Sequence, residues 1–349
     1  MLKNKIFKNI GIVGFGAYVP YFRIKVEEIA RVWQKDAENI KNYLGIEQKT
    51  VADIDEDSLT MAVEASLRAL RMAGIKPSRI GAVFVGSESH PYAVKPTGTI
   101  LAEILNIGRD YFCADLQFAC KAGTAGLQII LAMIDSGLVD YGLVVGSDKA
   151  QAKAGGALEF TAGAGAAAFV LGRKRMLAEV KSTYSFSSDM PDFWRRQNCS
   201  YPEHAGRFTG EPGYFYHLIS ATKNFLKKTG FKISDFNHVV FHMPNAKFPL
   251  KAAKSLGVEK KQLEKGFLVS QIGNPYSASS LLGLTAVLSQ AKNKDKVLLV
   301  SYGSGAGSDC FVLEIKKTLE KQKTDLDKII NNYQSISYPQ YLQKMEILQ

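Results

Sequence analysis

The hydrophobic pattern along this chain switches between two periods, and the switches mark its elements. Ile10–Tyr18 interleaves apolar residues with glycines and stops at Pro20, which predicts a strand running into a loop. Val26–Trp33 has the spacing of a short amphipathic helix, and the polar stretch from Lys35-Asp36-Ala37 to Thr50 reads as a connection. Asp57-Ser58-Leu59-Thr60 opens a helix that runs through Met72 and closes at Gly74, with Pro77 just beyond. Ile80–Gly86 is an apolar run of strand length whose end carries Ser87-Glu88-Ser89-His90. Thr97–Leu105 predicts a helix, Tyr111-Phe112-Cys113 a strand, and Leu127–Ile134 a buried helix. Leu143–Gly146 and Ala166–Leu171 are further strands, so the first half reads as an α/β pattern.

The second half repeats this order. HVVFHMPN (238–245) matches GAVFVGSE (81–88) in its apolar strand and polar end, and GNPYSASSLLGLTAVL (273–288) matches ACKAGTAGLQIILAMI (119–134). KVLLVSYGSGAGSDCFVLEI (296–315) matches YGLVVGSDKA together with AGAAAFVLGR. Phe84 precedes Cys120 by 36 residues and Phe241 precedes Asn274 by 33, so spacing agrees with order. Two copies of one unit are expected, divided as 1–175 and 176–349. Between them, 184–216 is irregular and rich in aromatics, Pro and Gly, a composition typical of functional loops. Lys316–Asn332 reads as a charged helix, and SISYPQYLQKMEILQ after it as a docking tail.

Duplication has a chemical consequence, because ligands of doubly wound sheets collect at the carboxyl ends of the strands. Superposed halves would face Cys120 with Asn274 and Glu88 with His242 around one pocket. Cys120 lies at a strand-to-helix junction, where free N–H groups and the helix dipole favour a thiolate, so a depressed thiol pKa is expected. A structural cysteine in a tight core is the alternative reading of that stretch alone.

The 349 residues exceed one ordinary core, and 46% hydrophobic with 22% charged residues describes an ordered globular chain. Cys113, Cys120, Cys199 and Cys310 have neither metal-type nor disulfide-framework spacing, and no metal site is expected. The N-terminal segment lacks a signal-peptide core and no apolar run approaches a membrane span, so a cytoplasmic location with no membrane partner is expected. The net charge of +11 invites nucleic acid, but no nucleic-acid motif accompanies it. A polyanionic small molecule suits the lysine-rich surface better. Gly11, Gly14 and Gly16 do not form a dinucleotide fingerprint, since the spacing is wrong and Pro20 follows.

GSES around Glu88, FACKAGTAGL around Cys120, FHMPNAKFPLK around His242, IGNPYSASSL around Asn274 and YGSGAGSD around Ser304 together resemble the thiolase superfamily. Within it they are most similar to the shorter, archaeal type of 3-hydroxy-3-methylglutaryl-CoA synthase. The resemblance implies a thiolase-like five-layered αβαβα fold of two pseudo-repeated halves, assembled as a homodimer. It implies condensation of acetyl-CoA with acetoacetyl-CoA and water to 3-hydroxy-3-methylglutaryl-CoA and CoA in the mevalonate pathway, with CoA thioesters as substrates and no separate cofactor. Cys120 would carry the acetyl group, Glu88 act as base, and His242 polarise the acceptor ketone with Asn274 assisting. Ala37, Thr161, Thr209 and Ser304 would line the acyl channel, and Arg207, Lys247 and Lys251 would reach CoA. The resemblance also implies a complex with an acetoacetyl-CoA thiolase and a small zinc-ribbon/OB-fold protein. A ketoacyl-acyl carrier protein synthase III-like enzyme and a non-catalytic acyl-CoA-binding scaffold are the competing readings. Glu88 tells against the synthase III reading, because decarboxylation supplies that carbanion without a carboxylate base.

Overall fold

The computed structural model describes residues 5–319 and 326–347. In chain order its elements begin with β1 Lys5–Ile6, β2 Gly11–Tyr18, β3 Phe22–Lys25, α1 Val26–Val32, α2 Ala37–Leu44 and β4 Gln48–Val51. They continue with α3 Ser58–Ala73, β5 Ile80–Gly86, α4 Thr97–Ile104, β6 Phe112–Leu116, α5 Ala122–Asp135, β7 Tyr141–Lys149 and β8 Ala164–Gly172. The second half holds β9 Ala178–Ser187, β10 Phe193–Trp194, β11 Glu203–His204, α6 Tyr216–Thr229, β12 His238–Phe241 and α7 Lys247–Leu256. After α8 Lys260–Leu263 and α9 Val269–Ile272 come α10 Ser279–Gln290, β13 Lys296–Val300 and β14 Gly307–Ile315. The chain ends in α11 Leu326–Asn331, β15 Gln334–Ser335 and α12 Tyr338–Lys344.

One sheet runs in the order β12-β13-β14-β9-β2-β8-β7-β5-β6. Its two sides carry the repeat. In the first half β5 pairs β7 in parallel, β7 pairs β8 antiparallel and β8 pairs β2 antiparallel. In the second half β12, β13, β14 and β9 repeat those senses in the same order. The two sides differ at β6, the edge strand beside β5, for which the described second half has no counterpart in the sheet, and at β1, which pairs β9 alone.

Helices fall in layers because their apolar faces differ. In α3 the buried positions run down one side, and Asp57 caps it by accepting from Thr60 N–H at 2.8 Å. It packs on the outer face of β2, β7 and β8, and α6 takes the matching place on β9 and β14. In α10 all but the last residue are buried, as a helix between the two sides of this sheet must be. With α5 it forms the middle layer and touches both β12 and β8. The five-layered αβαβα expectation is therefore met.

Three expectations change. The polar stretch before Thr50 holds α2 and β4, because Asp36 accepts from Asn39 N–H at 3.0 Å and Gly45 ends the helix at φ 67°. The charged helix expected over 316–332 forms only as Leu326–Asn331; 320–325 lie outside the described residues, and 316–319 are not helical. Lys316 N–H donates to Leu177 O at 2.8 Å, and its Nζ pairs with Glu179 and Glu314, which prolongs the β14–β9 pairing instead. The segment after Tyr184 is less irregular than its composition suggests, since β9 continues to Ser187 and β10 pairs β11.

Candidate active site

The cysteine turn is built under local strain. Between β6 and α5, Ala119 adopts φ 41°, a left-handed conformation that a residue with a Cβ rarely takes. Lys121 N–H donates to Phe118 O and Ala122 N–H to Ala119 O, both at 3.1 Å. The second half holds the turn in place: a Cβ at Gly303 would stand 2.5 Å from Phe118 O and 2.9 Å from Lys121 N, so only glycine admits this approach. Buried Lys121 pairs with buried Asp309 at 3.0 Å, and Asp309 also accepts from Thr124 Oγ1 at 2.8 Å and Ser185 Oγ at 2.6 Å.

Glu88 reaches the cysteine from the end of β5. Cys120 Sγ donates to Glu88 Oε1 at 2.9 Å. Burial first, and the Asp148 carboxylate second, push the Glu88 pKa up to about 8. Burial and the Glu88 carboxylate push the Cys120 thiol upward as well. The depressed thiol expected from the helix N-terminus is therefore corrected: enclosure beside a carboxylate outweighs the helix dipole. Glu88 lines a cavity of about 220 Å³ with Gln117, Ala119, Gln151, Arg195 and Tyr276, among others, and buried Cys120 lies behind it, next to Ala119 of that lining.

Asp148, at the end of β7, was not singled out in the sequence. Fully buried, it accepts through Oδ1 from Ser87 Oγ (2.8 Å), Glu88 N–H (2.7 Å) and Ser89 Oγ (2.7 Å). Its Oδ2 accepts from Ser277 N–H at 2.8 Å, which joins the Glu88-bearing loop to the opposite half. Its place at a strand's carboxyl end was the available signal. Asp192 is the matching omission in the irregular segment: Tyr302 Oη and Gly305 N–H donate to its carboxylate at 2.5 and 2.9 Å.

His242 follows β12, with its N–H donating to Val300 O at 3.0 Å and its ring beside Tyr214 and Tyr302. Burial pushes its pKa down to about 3, so the imidazole is neutral, and its Nδ1 finds no partner among the described residues. Asn274 likewise has a buried, unpartnered Oδ1. Its N–H donates to Thr161 O at 2.7 Å and its carbonyl accepts from Gly163 N–H at 3.0 Å. Ala162, between those two residues, packs in one small cluster with Cys120 and Tyr276. Thus Cys120 and Glu88 touch directly, Thr161 is next to Ala162 in the packing around Cys120, Asn274 bonds to the residues on either side of Ala162, and Tyr302 joins His242 to the Gly303 turn.

The remaining residues spread outward. Ser304 is half-buried beside Tyr302. Thr209 starts a π-helical stretch and donates through Oγ1 to Asp192 O at 3.3 Å. Ala37 opens α2 and packs on the cluster containing Phe160 and Met243. Pro249 lies in the first turn of α7 and does not break it, so Lys247 and Lys251 share a face. Lys247 lies over the Tyr43 ring at 3.9 Å; Lys251 lies over Phe215 at 4.5 Å and pairs with Glu211. Arg207 has a described backbone, but its side chain lies outside the described residues. The other buried histidines have structural partners: His90 meets Thr97, His217 lies between Ser188 and Gly213, and His238 meets Asp295.

Comparison with known proteins agrees with this geometry. Residues 6–175 match the family model "Hydroxymethylglutaryl-coenzyme A synthase N terminal", and 226–315 match "3-Oxoacyl-[acyl-carrier-protein (ACP)] synthase III C terminal". The hydroxymethylglutaryl-CoA synthase of Archaeoglobus fulgidus is 58% identical over 89% of this chain and 90% of its own. That of Methanothermobacter thermautotrophicus is 52% identical over 95% and 96%. A solved structure of MvaS in complex with 3-hydroxy-3-methylglutaryl coenzyme A superposes with TM-score 0.89 at 26% identity, covering 99% of this chain and 92% of that one. At 21% identity, a 3-oxoacyl-[acyl-carrier-protein] synthase III from Aquifex aeolicus shares the fold, with TM-score 0.80 over 87% of this chain and 99% of its own. With a sulfur and a carboxyl joined at the end of β5 and archaeal relatives matched over nearly their whole length, the chain belongs to the hydroxymethylglutaryl-CoA synthase family on a thiolase-like fold.

Proposed function

We propose that this chain condenses acetyl-CoA with acetoacetyl-CoA and water to give 3-hydroxy-3-methylglutaryl-CoA and CoA through an acetyl-Cys120 intermediate, as a step of the mevalonate pathway. The observation that carries the reading is the 2.9 Å Cys120–Glu88 contact at the cavity. Glu88 takes the thiol proton as sulfur attacks the acetyl carbonyl, and returns it to the departing CoA thiolate. The carboxylate so restored removes a methyl proton from the acetyl thioester, a task suited to a base with a pKa near neutrality. Gly303 N–H already donates to Gly307 O, which leaves Ser304 N–H as that turn's donor to a developing oxyanion. One such donor is worth about 3 kcal/mol. The enolate attacks the acceptor ketone, whose oxygen neutral His242 polarises by hydrogen bonding with Asn274 assisting. The resulting alkoxide takes up the proton that Glu88 removed from the methyl group, giving the 3-hydroxyl and the free Glu88 carboxylate. Water then cleaves the Cys120 thioester, freeing a carboxylate and regenerating the thiol.

In this reading Glu88, Cys120 and His242 are catalytic, while Ala37, Thr161, Thr209, Asn274 and Ser304 contact the acyl groups. Arg207, Lys247 and Lys251 bind CoA; the exposed lysines of α7 support the last assignment. The halves divide at 175/176, between β8 and β9. A homodimer is proposed through β6, an open sheet edge on which Phe112 is 55% exposed. A complex with an acetoacetyl-CoA thiolase and a small zinc-ribbon/OB-fold protein rests on family resemblance. No helix among the described residues is long and apolar enough to cross a membrane, and the four cysteines are free thiols, which supports a reducing, cytoplasmic location.

Intact-mass measurement after mixing with acetyl-CoA tests the reading, with Cys120→Ser as control. A gain of one acetyl group in the wild type alone is expected, and no adduct would leave only the scaffold. Glu88→Ala should slow acetylation by no more than about tenfold, because loss of the proton acceptor is offset by a thiol that ionises more readily without the neighbouring carboxylate, yet lose condensation by roughly 10²–10⁴. Product formed from a malonyl thioester would favour the synthase III-like alternative.

A further inference from the structure

The C-terminal segment makes buried contacts that the condensation scheme leaves unused. Strand β15 lies parallel to β3, and α12 turns two tyrosines inward, Tyr338 at 3% and Tyr341 at 1% exposure. Beneath them are two charged side chains shut off from solvent, Glu159 and Lys49. Glu159 Oε1 accepts from Tyr338 Oη at 2.8 Å, and Oε2 accepts from Trp33 Nε1 at 3.0 Å and Gly155 N–H at 2.8 Å. Lys49 Nζ donates to Tyr341 Oη at 3.1 Å, and burial pushes its pKa down to about 7. A buried carboxylate supplied with this many donors fixes the turn that carries it.

That turn runs straight into the site. Two residues after Glu159, Thr161 O accepts from Asn274 N–H at 2.7 Å. A Cβ at Gly273 would stand 2.5 Å from Thr161 O and 2.8 Å from Lys49 Cβ, so Lys49 abuts the Thr161–Asn274 bridge. Phe160 and Met243, the neighbours of Thr161 and His242, pack in the same cluster as Ile336, Tyr338 and Tyr341. Glu88 and Cys120 are held by other groups, Asp148 and the Lys121–Asp309 pair.

We infer that residues 334–344 are a positioning element for the acceptor: through Glu159 and Lys49, the two tail tyrosines set the Thr161–Asn274 bridge that receives acetoacetyl-CoA. This rests on the assignment of Thr161 and Asn274 to the acceptor side. The test uses the full-length Tyr338→Phe, Tyr341→Phe and Glu159→Gln variants and the Glu159→Gln/Tyr338→Phe double variant. Acetylation of Cys120 should stay within about twofold of wild type, while KM for acetoacetyl-CoA rises roughly five- to tenfold, the effect of one lost hydrogen bond. The double variant should be no worse than the poorer single one, because one shared bond is removed. An unchanged KM, or acetylation and condensation falling together in step with melting temperature, would overturn the inference. Absence of acetylation in the wild type would instead remove the condensation reading beneath it.

Discussion

Glu88 and Cys120 each make the other harder to ionise, and that mutual effect sets the pH behaviour of the site. Glu88 is raised from about 4.5 to about 8, so the carboxylate proposed as the base accumulates only as pH rises. Condensation should therefore increase from pH 6 towards an inflection near 8, measured with saturating substrates. The same shift acts on stability in the opposite sense. A native state that holds its proton more tightly than the unfolded chain gains stability below the unfolded pKa and loses it as pH rises through the native one. Glu88→Gln should thus melt higher than wild type at pH 9, with the difference closing towards pH 5. Asp148 raises the Glu88 pKa by its charge, so Asp148→Asn should move the activity inflection to lower pH; an unmoved inflection would contradict this account. His242, neutral well below neutrality, contributes no inflection of its own between pH 6 and 9.

At the scale of elements, the cysteine turn works because two chain segments 180 residues apart meet without side chains between them. Gly303 allows the approach and the Lys121–Asp309 pair locks it. Lys121→Met would leave Asp309 as an uncompensated buried charge and should cost about 3–5 kcal/mol, read from the denaturant midpoint. Gly303→Ala places a methyl group 2.5 Å from Phe118 O and should abolish acetylation even where the fold survives. Elements with a buried face and strong end signals were readable in advance: α3 between Asp57 and Gly74, β5, and α10. Helix α2 was not, because its apolar stripe is only Ala37, Ile40 and Leu44, none of them fully buried, within a mostly polar stretch whose ends are set by Asp36 and Gly45.

Over the whole molecule, one strand and helix order is used twice, and the two uses differ where function needs them to. The first half keeps β6 as a sheet edge with Phe112 turned outward, and the second half ends in a segment that crosses back onto β3. Exchange of Phe112→Glu should convert the proposed dimer to a monomer in sedimentation, since a charge on an open edge opposes strand pairing. The tail's return explains why Glu159 and Lys49, charged residues remote from any motif, are buried at all: each finds a tyrosine hydroxyl from the chain's far end.

Sequence alone determined the alternation of strands and helices, the internal repeat, Glu88 and His242 as polar residues after strands, and Cys120 and Asn274 at the junctions that open apolar helices, because periodicity and position at an element's end are local properties of the chain. The tertiary structure alone decided that Glu88 bonds to the sulfur, that enclosure raises both pKa values, and that Asp148, Asp192 and Asp309 brace the site. Those outcomes depend on desolvation and on partners far away in sequence, and no local pattern encodes how deeply a carboxylate will be buried or which distant donor will meet it.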